Sequence, residues 1–263
     1  MASDTEHPLL IQDPSIDDIA KLVTVLRRAG IPSALWGVNA AGCYGGRLCY
    51  MDIELAIKEI DQERVFDLLR RHGCHPSQPT ETSPPENFHL WRKQALHHEY
   101  IDRRRFRLYT PIYTLPRTGD EFTDFLSPFI MIYSAEMVGL PPIPPFSASS
   151  NIGKDQQDYI TVDTAPCYIL GSRESQSTVV VPVFKHLVQS VMHVLLRHAD
   201  ALLVWAQLMA ELAELVHSPV CNALDEISVP TMRRFAQWVR DGESGSPEFI
   251  QGMKDEYRAL IQA

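Results

Sequence analysis

Apolar residues at positions 16, 19, 22, 23 and 26 recur with helical spacing, after a Ser15 and Asp18 start signal and before Gly30 and Pro32. The pattern predicts an amphipathic helix. A short apolar run at 34–37 then reads as a strand, and 51–57 alternates, with Ile53, Leu55 and Ile57 on one side and Asp52, Glu54 and Ala56 on the other. Between them, 39–44 is compact enough for a short helix. Asp61 is placed to cap a further helix with an apolar face of Val65, Phe66, Leu68 and Leu69, which Gly73 ends. The opening therefore reads helix, strand, helix, strand, helix.

Residues 76–85 are rich in Pro, Ser and Thr and predict a loop, after which 88–92, 106–113 and 129–133 look extended. Four prolines at 139–145, followed by serines, can form neither a helix nor a central strand, so they mark the boundary between an α/β part over 1–145 and a mainly helical part over 146–263. Further short strands are expected at 159–162 and 167–170. With Pro182 read as a first helical position, a long segment to Val216, apolar around most of its circumference, predicts a buried central helix. Helices over 229–240 and 248–261 would complete a bundle around it. The expected fold class is thus α/β (α+β), a mixed sheet with helices followed by a C-terminal helical bundle.

With 45% hydrophobic and 22% charged residues, the 263-residue chain can bury a full core. A net charge of -9 argues against general nucleic-acid binding, which needs a concentrated basic face. The five cysteines are scattered without a C-x-x-C pair, so neither a disulfide framework nor a zinc site is indicated. No stretch reaches the apolar length of a membrane span, and the first ten residues lack the basic start and apolar core of a secretory signal. The expectation is a soluble cytoplasmic protein, with its oligomeric state open.

The chemistry-bearing segment is GVNAAGCYGGRLCYMDIELAI, residues 37–57. Acids two apart on a strand share a face, so Asp52 and Glu54 would present paired carboxylates, a seat for magnesium bridging to substrate phosphates. Gly37, Val38 and Asn39 would bring backbone N–H groups and a helix start to those phosphates, with Arg47 nearby to balance charge.

In this register the segment resembles the nucleotidyltransferase superfamily, in particular its small antibiotic-modifying and toxin-type members. Gly37 stands at the first glycine, Ala40 and Ala41 at the small helical residues, Gly45 at the closing glycine, and Asp52, Ile53 and Glu54 at the acid strand. Lys185, Arg197 and Asp200 loosely resemble the helical half of those proteins. The resemblance implies catalytic and metal-binding Asp52 and Glu54, Mg²⁺ and ATP, and transfer of a nucleotidyl group to the hydroxyl of a small-molecule substrate.

The chain departs from that pattern in Val38 for a second glycine or serine, in Met51 before the first acid, and in Glu54 for an aspartate. Later strands offer no clean third acid, with Glu99 and Asp102 as the nearest. Two alternatives follow. One is a cyclase or isomerase using Asp52 or Glu54 as acid or base in a pocket lined by Trp36, Val38, Tyr50 and Met51. The other is a non-catalytic binding relative. His97, His98 and Glu99 read as a surface turn, the run Arg103, Arg104, Arg105 and Arg107 as a solvated loop, and His186, His193 and His198 as core or boundary residues.

Overall fold

Residues 8–49, 51–76, 110–145, 158–167, 169–198, 202–222, 224–242 and 246–262 are described by the computed structural model. Among them the architecture is mixed α/β, with a five-stranded sheet, a two-stranded sheet and C-terminal helices. Helix α1 spans Ile16–Arg28. Ser15 caps it by accepting the Asp18 N–H, and the Asp18 carboxylate turns back to accept the Gln12 and Asp13 N–H groups at 2.6 and 3.2 Å. Past the last turn, Gly30 adopts a φ of 73°, which lets the chain reverse into β1, Ser33–Leu35.

Strand β1 pairs antiparallel with β2 (Ile53–Ile57), and β2 pairs in parallel with β5 (Ile130–Ser134). Strands β4 (Ile112–Thr114) and β3 (His75–Pro76) complete the order β1-β2-β5-β4-β3. An interior position explains why all five residues of β2 are buried, Glu54 included. Helix α3 (Gln62–Arg71) buries Val65, Phe66, Leu68 and Leu69, the expected face. Asp61 occupies its N-cap position without a side-chain cap bond and instead pairs with Arg64. Helix α4 (Glu121–Leu126) is capped by Asp120, which accepts the Thr123 N–H.

The second half begins with β6 (Tyr159–Thr161), α5 (Arg173–Thr178) and β7 (Val180–Pro182), β6 and β7 pairing antiparallel. Helices α6 (Phe184–Arg197), α7 (Leu202–Val216), α8 (Pro230–Asp241) and α9 (Pro247–Gln262) follow.

Several expectations shift. The first strand stops at Leu35, and the acid strand begins at Ile53, leaving Asp52 just ahead of it. Pro182 ends a strand rather than opening a helix; at the strand end its missing N–H breaks no ladder. Residues 167, 169 and 170 are not strand, since the partner of β6 is Val180–Pro182. The single helix expected to Val216 is two, α6 and α7. The strand expected at 88–92 and residues 106–109 lie outside the described residues.

The buried apolar side chains form one cluster from Leu9 to Tyr257 that joins both halves. Helix α2, at Gly37–Gly42, touches α6 and α7, while β1 touches β7. The helical half is therefore seated directly on the acid-strand half.

Candidate functional site

Entry into α2 depends on Gly37, whose φ of 60° is a left-handed conformation that costs a residue with a Cβ roughly 1 kcal/mol or more. Trp36 holds the N-cap position and makes no side-chain cap bond. The orphan donors of the first turn need another acceptor. Glu54 supplies it: its Oε2 accepts the Val38 N–H at 2.9 Å. The same residue is fixed through its backbone, since its carbonyl accepts the Trp36 N–H at 3.0 Å and its N–H donates to Asn39 Oδ1 at 2.8 Å. At the far end Gly45, with φ of 85°, and the Gly46 N–H on the Ala41 carbonyl close the helix, the closing role expected of Gly45.

Strand β5 provides the other half of the Glu54 environment. Met131 lies beside Glu54 in the parallel register, and Tyr133, two residues on and so on the same face, donates its hydroxyl to Glu54 Oε1 at 3.1 Å. The Tyr133 ring lies 4.5 Å from that of Trp36, centroid to centroid. Trp36 Nε1 donates to Ser190 Oγ at 2.7 Å, and Ser190 donates to the Val138 carbonyl at 2.5 Å. A continuous path of contacts thus runs from α2 through Glu54, Tyr133 and Trp36 to α6. Glu54 is only 3% exposed.

Asp52 is half-buried, and its Oδ1 accepts the Phe129 N–H at 2.9 Å. The Ile53 N–H donates to the Phe129 carbonyl at 2.8 Å, so Asp52 extends the β2–β5 pairing by one contact. The two acids thereby hold one neighbouring strand at different points, Asp52 at Phe129 and Glu54 at Tyr133.

Of the remaining expected residues, Asn39 is buried, and its Nδ2 has no hydrogen-bond partner among the described residues. Arg47 is exposed, and its N–H donates to Glu214 Oε2 on α7 at 2.9 Å. Trp36 is fully buried whereas Met51 is 68% exposed, so these two do not line one pocket; Tyr50 lies outside the described residues. Among the described residues no three His, Cys, Asp or Glu side chains are grouped as a metal site. His97, His98, Glu99, Asp102, Asp200 and the arginines at 103, 104, 105 and 107 lie outside the described residues.

In the helical half, His186 pairs with Asp158 at 2.8 Å and His193 Nδ1 with the Tyr257 hydroxyl at 2.7 Å. Burial, with His198 and Arg197 adding to it against a pull from the Met137 backbone, pushes the His193 imidazole down to about 4.

Sequence reasoning found Asp52 and Glu54 but missed Tyr133, Ser190 and the Phe129 amide that hold the network. The alternation of Met131 and Tyr133 against Ile130 and Ile132 was a usable signal that both point to one face. Nothing local says that this strand lies beside the acid strand. No protein-family model, curated protein or solved structure matches the chain.

Proposed function

We propose that the chain is a nucleotidyltransferase-like protein whose acidic segment serves architecture, making it a non-catalytic binding relative of those enzymes. The order of helix, strand, short helix and strand, with a left-handed glycine opening the short helix, Glu54 on an interior strand and Asp52 just ahead of it, supports the likeness. The observation that carries the non-transferring reading is the state of the Glu54 carboxylate: 3% exposed, with the Val38 N–H on one oxygen and the Tyr133 hydroxyl on the other.

Magnesium and ATP do not fit this donor set. Magnesium dehydrates reluctantly and keeps several waters, and a carboxylate only 3% exposed with both oxygens already engaged offers little to a hydrated ion. The Val38 N–H, which the resemblance assigns to the phosphates, already serves the chain's own carboxylate. Beside Glu54 on β5 stands Met131, a thioether where a third acid would be needed. The same enclosure weighs against Glu54 as an acid or base for a cyclase or isomerase. A small-molecule ligand would meet Arg47 and Asp52, which reach the surface, before Glu54.

Isothermal titration of the full chain with ATP and magnesium tests the reading. The expected result is no saturable heat at millimolar nucleotide. Magnesium-dependent saturable binding that disappears in a folded Glu54→Gln variant would overturn it.

A further inference from the structure

Three cysteines gather around the turn that follows α2. The Cys167 N–H donates to the Cys43 carbonyl at 3.1 Å, seating the segment after β6 on the end of the helix. From the other side, Ser218 donates its hydroxyl to the Tyr44 carbonyl at 2.6 Å and accepts the Cys221 N–H at 3.2 Å. Both segments close over Gly45. A Cβ on that glycine would stand 3.4 Å from Cys167 Sγ, 3.5 Å from Val220 Cγ2 and 3.6 Å from Ser218 Oγ. The Cys167 thiol and the 218–221 segment thus both border the space that a side chain on this glycine would fill.

The three thiols differ in access. Cys43 is buried with its Sγ directed at the Asn39 carbonyl of its own helix, and burial, with the Cys167 thiol adding to it, pushes it up to about 12. Cys167 and Cys221 are both part-exposed reduced thiols. Burial raises Cys221 as well, and Cys167 again adds to the rise, so Cys167 is the electrostatic neighbour of both.

We propose that Cys167 and Cys221 form a reversible disulfide that clamps the turn between α2 and the acid strand. The oxidant is a low-molecular-weight disulfide. One protein thiolate attacks it, forming a mixed disulfide and releasing one small thiol; the second protein thiolate then attacks the protein sulfur of that mixed disulfide and releases the other. Two protein thiols are oxidised, one small disulfide is reduced, and the two protons end on the released thiols. The bond would enclose α5, β7, α6 and α7 in a covalent loop and hold both segments against Gly45. The chain leaving that turn carries Arg47 and leads to Asp52, so the clamp sets the stiffness of the approach to the acid strand.

The test is incubation of the full chain with oxidised glutathione, followed by non-reducing digestion and mass spectrometry, thermal melts and amide exchange. The expected result is a 167–221 cross-linked peptide and a rise in Tm that dithiothreitol reverses and that Cys167→Ser and Cys221→Ser each abolish. Exchange at residues 43–46 should slow about tenfold or more on oxidation. Cross-linking of Cys167 to Cys43, glutathione retained on both part-exposed cysteines, or a 167–221 bond that leaves exchange at 43–46 unchanged would each overturn the proposal.

Discussion

A carboxylate taken out of water must be protonated or surrounded by donors. Glu54 has donors on both oxygens, the Val38 N–H and the Tyr133 hydroxyl, and its own N–H and carbonyl are tied to Asn39 and Trp36. That makes the residue a junction of α2, β1, β2 and β5. Tyr133→Phe removes a donor from Oε1 while keeping the ring against Trp36, and the expected loss is about 1–3 kcal/mol of stability. Glu54→Gln removes the charge that strengthens both bonds and brings an NH₂ group to face one of the two donors; the Tyr133 hydroxyl can turn to accept, whereas the Val38 N–H cannot. A double-mutant cycle with these two substitutions, read by urea unfolding, should give a coupling of roughly 1–2 kcal/mol. A coupling near zero would show that the tyrosine and the carboxylate do not hold one another.

At six residues, α2 is too short to persist by itself, so its stability comes from Glu54 at its start, the glycine turn at its end and the helices packed on it. Helix α6 depends on packing of another kind. Its His193 is 9% exposed and lies against Gly139, whose φ is 69° and where a Cβ would stand 2.7 Å from the imidazole Cγ. The folded imidazole titrates at about 4 against an ordinary value of 6.5. Because the folded pKa is depressed, the unfolded chain binds this proton first as pH falls. The contribution is fully present above pH 6.5, declines on acidification and is exhausted below about pH 4, amounting to on the order of 3 kcal/mol. Urea midpoints of the native chain and His193→Phe should therefore converge as pH falls through this window; a constant gap would rule out the titration. Local pattern made α1, α3 and the last two helices legible, because each carries a helical apolar stripe between recognisable stops. The alternation of 51–57 likewise put Glu54 rightly on a strand, though not Asp52, which lies just ahead of it, and local pattern failed where the partner is distant in sequence. Tyr133 lies 79 positions from Glu54 and Ser190 lies 154 from Trp36, so neither bond has a local signature. The pairing of β6 with Val180–Pro182 was hidden likewise, since Pro182 fits the end of a strand as well as the start of a helix.

The two halves share a core, so a composition shift at the prolines of 139–145 marks a change of architecture within one continuous apolar cluster. Apolar packing alone would tolerate some sliding of α6 over the sheet, because dispersion contacts carry little direction. Ser190 fixes the register. Its hydroxyl accepts from Trp36, next to β1, and donates to Val138, beyond β5, while its backbone belongs to α6. All three residues are fully buried, so Ser190→Ala leaves an indole N–H and a carbonyl without this partner where water has no ready access. Loss of a buried hydrogen-bond partner costs about 1–3 kcal/mol for each group, which puts the expected loss for the two near 2–6 kcal/mol, well beyond that of an exposed serine. If the halves unfold as one unit, the loss should appear equally as reduced amide-exchange protection in β2 and in α6, with a single unfolding transition. Loss confined to α6, with β2 protection unchanged, would mean that the helical half opens independently and that the hydroxyl relay does not couple the helices to the strand carrying Glu54.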